Sequence, residues 1–227
     1  MTHRPFAGSP AASTHLDALA VRARALVPPM QGRAVLGMCG PPGAGKSTLV
    51  ERLVERLRRD PPDGLGPQGV AHVPLDGFHL ADVQLARLGL SQRKGAPETF
   101  DAYGYLALVR RILAETGHSV YSPGFERELE QPIAAAIEVP PAARLVITEG
   151  NYLLLPDRPW SSVRALMAEV WYVDLDPEVR RERLIARHVR FGKSPAQARE
   201  WVLRSDEDNA RLIEASRPSA DAVVTLA

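Results

Sequence analysis

The stretch Val35-Leu36-Gly37-Met38-Cys39-Gly40-Pro41-Pro42-Gly43-Ala44-Gly45-Lys46-Ser47-Thr48 decides the fold. Val35 to Cys39 has the length and apolar character of a buried strand. Gly40 to Ser47 fits the phosphate-binding pattern G-x-x-x-x-G-K-S in full. After it, Leu49, Leu53 and Leu57 recur four apart and predict a helix that stops near Pro61-Pro62. Strand, glycine-rich turn and helix in that order have a physical logic. Glycines let the backbone curl so that successive N–H groups point at phosphate oxygens, and the positive end of the helix faces the same anion. On this reading Gly40, Pro41, Pro42, Gly43, Ala44, Gly45, Lys46, Ser47 and Thr48 hold the phosphates of ATP. Lys46 reaches the β and γ phosphates, Ser47 offers its hydroxyl to Mg²⁺, and Thr48 adds a contact to the α-phosphate.

Working outward, residues 1–12 read as a loose tail, and residues 13–27 as an N-terminal helix carried by Leu16, Leu19, Ala20, Ala23 and Leu26. Val70 to Leu75 predicts a second strand that ends at Asp76. A polar loop from Ser91 to Asp101 precedes a helix through Leu106, Val109, Ile112 and Leu113. Val120 to Glu130 reads as a turn-rich excursion, and Ile137-Glu138-Val139 as a short edge strand before Pro140-Pro141. Leu145 to Thr148, Val170 to Leu175 and Ala222 to Leu226 are further strands. Pro177 and Pro195 each open a helix. Strands alternating with helices predict one doubly wound α/β domain of the P-loop NTPase type over residues 1–227. It has a mainly parallel sheet, helices on both faces, and a small arginine-bearing lid at about residues 177–194.

Bulk composition agrees and excludes some partners. The chain has 227 residues, 45% of them hydrophobic, which is enough for one full-sized core. Its formal net charge of +1 lacks the basic excess of a dedicated nucleic-acid binder. Lys46, Lys94 and Lys193 are the only lysines, so nearly all positive charge is arginine, yet the phosphate loop keeps its lysine. Cys39 stands alone, which rules out an internal disulfide and a multi-cysteine metal site; a small residue ending a buried strand reads as packing. No apolar run approaches the roughly 20 residues of a membrane span, and Met1 to Pro10 lacks a signal core. The expectation is a cytoplasmic protein with neither membrane nor nucleic acid as partner.

Two carboxylates turn phosphate binding into chemistry. Asp76 and Glu149 each follow an apolar strand, and in an open parallel sheet the carboxyl ends of strands border the ligand crevice. Asp76 is placed to accept a hydrogen bond from an acceptor hydroxyl and align it for in-line attack. Glu149 is placed to hold Mg²⁺. Arg180, Arg183 and Arg187 share one helical face and can neutralise charge on the transferring phosphate while a lid excludes water.

With these residues in hand, the chain resembles the uridine kinase, phosphoribulokinase and bacterial pantothenate kinase superfamily from about Val35 to its C-terminus. The carriers are GPPGAGKST (40–48), LDGFHL (75–80), QRKGAPETFD (92–101), YSPGFERELEQP (121–132), VITEGNYLLL (146–155), DLDPEVRRERLIARH (174–188) and SDEDNARLI (205–213). The resemblance implies that Asp76 is the catalytic aspartate, with Lys46 and Arg183 acting beside it. It implies that Arg183 and Arg187 meet ATP phosphates from a lid, and that Arg180 lies near the acceptor. It also implies a homodimer. Where uridine kinases carry an aspartate for the ribose hydroxyls this chain has Gly95, and its Arg93–Glu98 run looks more like pantothenate kinases. The whole is most similar to a bacterial branch whose members are called nucleoside kinase-like or fructose-transport-system kinases. His79, Arg93, Tyr121, Phe125 and Arg127 are candidate acceptor contacts.

The expected activity is transfer of the ATP γ-phosphoryl group to a hydroxyl of a small molecule such as a nucleoside, a sugar or a pantothenate-like alcohol. A regulatory NTPase that switches a protein partner is the alternative. A GTPase would need an Asn-Lys-x-Asp element, and neither Asn151 nor Asn209 precedes a lysine. The Arg93-Lys94 pair keeps a nucleoside monophosphate acceptor open.

Overall fold

Five parallel strands form the centre of the computed structural model, which describes residues 10–62 and 64–226. In chain order the elements are α1 (Pro10–Ala25), β1 (Ala34–Cys39), α2 (Lys46–Arg59), β2 (Val70–Pro74), α3 (Asp82–Leu88) and α4 (Ala102–Ala114). Then come β3 (Val120–Glu126), β4 (Gln131–Val139), β5 (Leu145–Glu149), α5 (Trp160–Arg164), β6 (Glu169–Asp174) and α6 (Pro177–Arg190). The chain closes with α7 (Pro195–Trp201), a π-type turn over Val202–Asp206, α8 (Glu207–Ser216) and β7 (Ala222–Thr225).

The sheet order is β2-β5-β1-β6-β7. From β1 the chain leaps past one position to β2, returns to fill the gap with β5, then crosses to β6 on the other side. The strand order therefore reverses at β1, and the crevice at such a switch point opens at the strands' carboxyl ends. Registry sets three of those ends level. Glu149 of β5 pairs with Met38 of β1 on one side and with Pro74 of β2 on the other.

Both sheet faces are dry, so the strands read as continuous apolar runs. Alternate residues divide between two cores. Val35, Cys39, Ala71, Val73, Val146, Val170 and Tyr172 pack towards α4 and α5. Leu36, Met38, Val70, Leu145, Ile147, Trp171 and Val173 pack towards α1 and α2. The leucines spaced along α2 supply the facing surface, with Leu49, Leu53 and Leu57 all buried.

The predicted doubly wound α/β architecture is what the chain adopts, with local corrections. Helix α1 begins at Pro10, inside the stretch expected to be a tail, and stops at Ala25 rather than 27; residues 1–9 lie outside the described residues. The expected excursion at 120–130 and the short strand at 137–139 are parts of one antiparallel hairpin, β3–β4, separate from the main sheet. Its second strand is largely exposed and carries Ala134, Ala135 and Ala136, so it shows none of the apolar alternation by which strands are found. The short helices α3 and α5 were not expected either. The helix predicted from Pro195 forms behind a capping box at Ser194 and Gln197, with the π-type turn between its two halves. No helix among the described residues is long and apolar enough to cross a membrane.

Candidate active site

The phosphate loop is held from both sides. A Cβ placed on Gly43 would lie 2.6 Å from the Leu184 side chain and 3.1 Å from the Arg180 carbonyl, so only glycine lets α6 pack this closely over the loop. Lys46 begins α2 and is buried, and its Nζ donates to the carbonyls of Gly40 (2.8 Å) and Pro41 (3.0 Å). Burial holds the Lys46 ammonium below its ordinary range, opposed chiefly by the charge of Glu149. Those two loop carbonyls satisfy the buried ammonium.

Ser47 Oγ donates to Glu149 Oε2 at 2.9 Å. Burial pushes the Glu149 carboxyl up, against the pull of Lys46 and of this hydrogen bond. The residue before it is fixed from both neighbours. Thr148 Oγ1 donates to the Val73 carbonyl at 2.6 Å, so the buried Tyr105 hydroxyl, also 2.6 Å away, must donate to Thr148. A serine hydroxyl with a free lone pair and an oxygen-only carboxylate next to it suit a hard cation such as Mg²⁺. The curled backbone of residues 40–48 with Lys46 suits a polyphosphate.

Asp76 sits two residues past the end of β2, in a tight turn over Leu75–Phe78. Its carboxylate is 42% exposed, in contrast to Glu149, and so remains open to an incoming molecule. The hairpin packs against the turn at its next residue. A Cβ on Gly77 would fall 2.2 Å from the Pro123 carbonyl, which shows how closely β3 rides on this turn. From the hairpin's tip Arg127 reaches to 3.9 Å from Asp76 Oδ2. Its acidic neighbours Glu126, Glu128 and Glu130 are not its ion-pair partners. His79 Nδ1 donates to the Asp76 carbonyl at 2.8 Å, and its ring packs at 4.0 Å from Phe100 and 5.0 Å from Phe125. Burial lowers the His79 pKa, so the ring is neutral with Nε2 left as an acceptor.

Four of the expected acceptor residues, Asp76, His79, Phe125 and Arg127, therefore meet. Tyr121 does not join them; it stands exposed on β3 across from Glu138. Arg93 is exposed and paired with Glu98. Arg180 is a correction. It is 1% exposed, ion-paired to Glu207 of α8, and 3.5 Å from the Pro42 carbonyl. It braces the back of the phosphate loop and presents nothing to an acceptor, because the first turn of α6 lies beneath the loop. Arg183 and Arg187, one and two turns on, are exposed. A nitrogen of Arg183 lies within 3.9 Å of where a Gly45 Cβ would sit, and the charge of Arg187 is felt at Lys46. Cys39 donates its thiol to the Asn151 carbonyl at 3.2 Å, and burial raises it to about 11, in keeping with a packing role.

Sequence reasoning passed over His72. It occupies the middle of β2, in the apolar run Val70-Ala71-His72-Val73, and its Nε2 is buried without a hydrogen-bond partner, 3.9 Å from Glu149 Oε1. Burial, with Arg58 adding its charge, lowers it to about 4. An imidazole in the interior of a strand otherwise fit for the core was the available signal.

The profile of the phosphoribulokinase and uridine kinase family matches residues 35–226, and so takes in every element from β1 to β7. The chain belongs to this family. An ATP-dependent kinase-like protein of Aspergillus versicolor is 39% identical over 145 residues, covering 60% of this chain and 84% of its own. A Schizosaccharomyces pombe protein named "putative uridine kinase" is 33% identical over 200 residues, covering 86% of this chain and 83% of the relative. Among solved structures, a Silicibacter sp. TM1040 protein called a "putative fructose transport system kinase" superposes with a TM-score of 0.81 at 36% identity, covering 92% of this chain and 98% of that one. Membership in the phosphoribulokinase and uridine kinase family makes this a P-loop kinase, and ATP its implied phosphate donor. In this chain Ser47, Lys46 and Glu149 gather at one end of the crevice, and Asp76 with His79, Phe125 and Arg127 at its neighbour.

Proposed function

We propose that the protein transfers the γ-phosphoryl group of ATP to a hydroxyl of a small molecule bound between Asp76 and the β3–β4 hairpin. One observation carries this reading: two carboxylates on adjacent strand ends are treated oppositely. Glu149 is buried against Ser47 and Lys46, while Asp76 is open to solvent and faced by Arg127. A hydrolase that only switched shape has no use for the second, open carboxylate beside aromatic and basic side chains.

Asp76 accepts the hydrogen bond of the acceptor hydroxyl and points its oxygen at the phosphorus; positioning matters more than early proton removal in a loose transition state. Arg127 then leaves Asp76 for a polar group of the acceptor, and Phe125 with His79 forms an apolar wall. Lys46 moves from the loop carbonyls to the β and γ phosphates. Arg183 and Arg187 close from α6 to offset charge on the transferring group and exclude water. Ser47 and Glu149 would hold Mg²⁺, which would supply charge neutralisation to the phosphates.

The test is ADP release from Mg²⁺-ATP across a panel of nucleosides, sugars, glycerate, pantothenate and related alcohols. An acceptor-dependent rise with a phosphorylated product by mass supports the proposal and names the branch. Hydrolysis that stays the same with every acceptor transfers support to a nucleotide switch acting on a protein partner.

A further inference from the structure

We infer that His72 is a positioning residue for the metal-binding carboxylate: its Nε2–H holds Glu149 Oε1 while Ser47 holds Oε2. This rests on the reading of Ser47 and Glu149 as the Mg²⁺ site. The two oxygens of Glu149 have unequal surroundings. Oε2 receives the Ser47 hydroxyl at 2.9 Å, whereas Oε1 has His72 Nε2 at 3.9 Å. That nitrogen is shut off from solvent and has no partner of its own. A buried ring nitrogen without a partner costs free energy in either tautomer, so structures keep one only where something completes it, and a carboxylate oxygen beside it calls for the Nε2–H form.

The sheet explains why these two groups meet. His72 pairs with Ile147 in the β2–β5 register, and Glu149 pairs with Pro74, so both side chains emerge on the α2 face one step apart along neighbouring strands. His72 also lines a depression with Glu51, Glu55 and Arg58 of α2. At 3.9 Å the contact is too long for a hydrogen bond. Hydrogen bonds of catalytic groups are often long in the empty enzyme and tighten once the ligand is bound, and a turn of the Glu149 side chain brings Oε1 onto Nε2. With Ser47 and His72 each holding one oxygen, the plane of the carboxylate is set. Metal-binding carboxylates depend on outer partners of this kind.

The test uses nucleotide binding and needs no acceptor. Calorimetric titration of the full chain with ATP at increasing Mg²⁺ gives the Mg²⁺ concentration at half-maximal enhancement for wild type, His72→Leu and His72→Gln. In His72→Leu this concentration should rise about 10- to 100-fold, the usual effect of losing an outer-shell partner. Binding of ADP in EDTA should stay unchanged. Glutamine places an amide donor near the position of Nε2 and should restore most of the Mg²⁺ response. An unchanged Mg²⁺ response in His72→Leu, or an equal loss in both variants, overturns the role. Wild-type ATP binding that ignores Mg²⁺ overturns the metal site itself, and with it this inference.

Discussion

Replacing Asp76 with asparagine keeps the size of the side chain and removes its charge. In Asp76→Asn, kcat should fall about 10²- to 10⁴-fold, the usual contribution of a positioned acid–base group. Mg²⁺-ATP affinity should be unaffected, because in the proposed reading Asp76 serves the acceptor and not the nucleotide. Turnover with the right acceptor and equilibrium binding of ATP check the two halves separately; full turnover would remove Asp76 from the centre of the site. Lys46→Ala should do the reverse and abolish turnover by weakening nucleotide binding. The placement of both residues was legible in the sequence, since a lysine inside G-x-x-x-x-G-K-S must open the helix after the loop and a carboxylate after an apolar run must follow a strand. Arg180 was not. Spacings of three and four put Arg180, Arg183 and Arg187 on one face, but periodicity says nothing of depth, and only the first lies under the phosphate loop, against Glu207. His72 was missed for the opposite reason, as a strand residue whose neighbours are all apolar.

At the scale of elements, the acceptor half of the site depends on how the β3–β4 hairpin rests on the Asp76 turn. Gly77 is the contact point, and its missing side chain is the clearance: any Cβ there meets the Pro123 carbonyl at 2.2 Å. Backbone cannot swing aside like the end of a flexible side chain, so Gly77→Ala must lift the hairpin and carry Phe125 and Arg127 away from Asp76. Acceptor KM should rise and kcat fall, while ATP binding persists and folding stability drops by about 1–3 kcal/mol, the range for overpacking. Initial-rate kinetics together with urea unfolding would show this split; an equal loss of ATP binding would mean that the hairpin also supports the phosphate loop. The main-sheet strands were readable because both of their faces are buried and their sequences are continuously apolar. The hairpin escaped notice because β4 is mostly exposed and turns on small residues, so its pairing is set by contact with β3 and the Asp76 turn rather than by local pattern.

The whole molecule carries these buried ionisable groups as a dependence of stability on pH. His72 is lowered from 6.5 to about 4, which makes its folded form the weaker proton binder. Below pH 6.5 the unfolded chain takes up a proton that the folded chain refuses, so stability falls as pH drops through the window from 6.5 to 4. Glu207 acts in the same direction but later. Burial pushes it up, but hydrogen bonds from Arg181 and Arg180 outweigh this and leave it lowered, so its contribution is lost only below the ordinary glutamate range. Glu149, raised mainly by burial, works against both, since acid relieves the cost of burying its charge. Between pH 7 and pH 5 linkage gives about 2 kcal/mol for His72 alone, and the lowered His79 adds to it in the same direction. His72→Leu should therefore lose about 2 kcal/mol less than wild type over that interval, measured by urea unfolding in EDTA to keep metal out of the comparison. For a chain of this length, that corresponds to a difference of roughly 4–8 °C in the acid shift of Tm. Parallel acid limbs in the two proteins would mean that the imidazole is solvated in the folded state, and would also withdraw the buried, unpartnered Nε2 on which its role beside Glu149 depends.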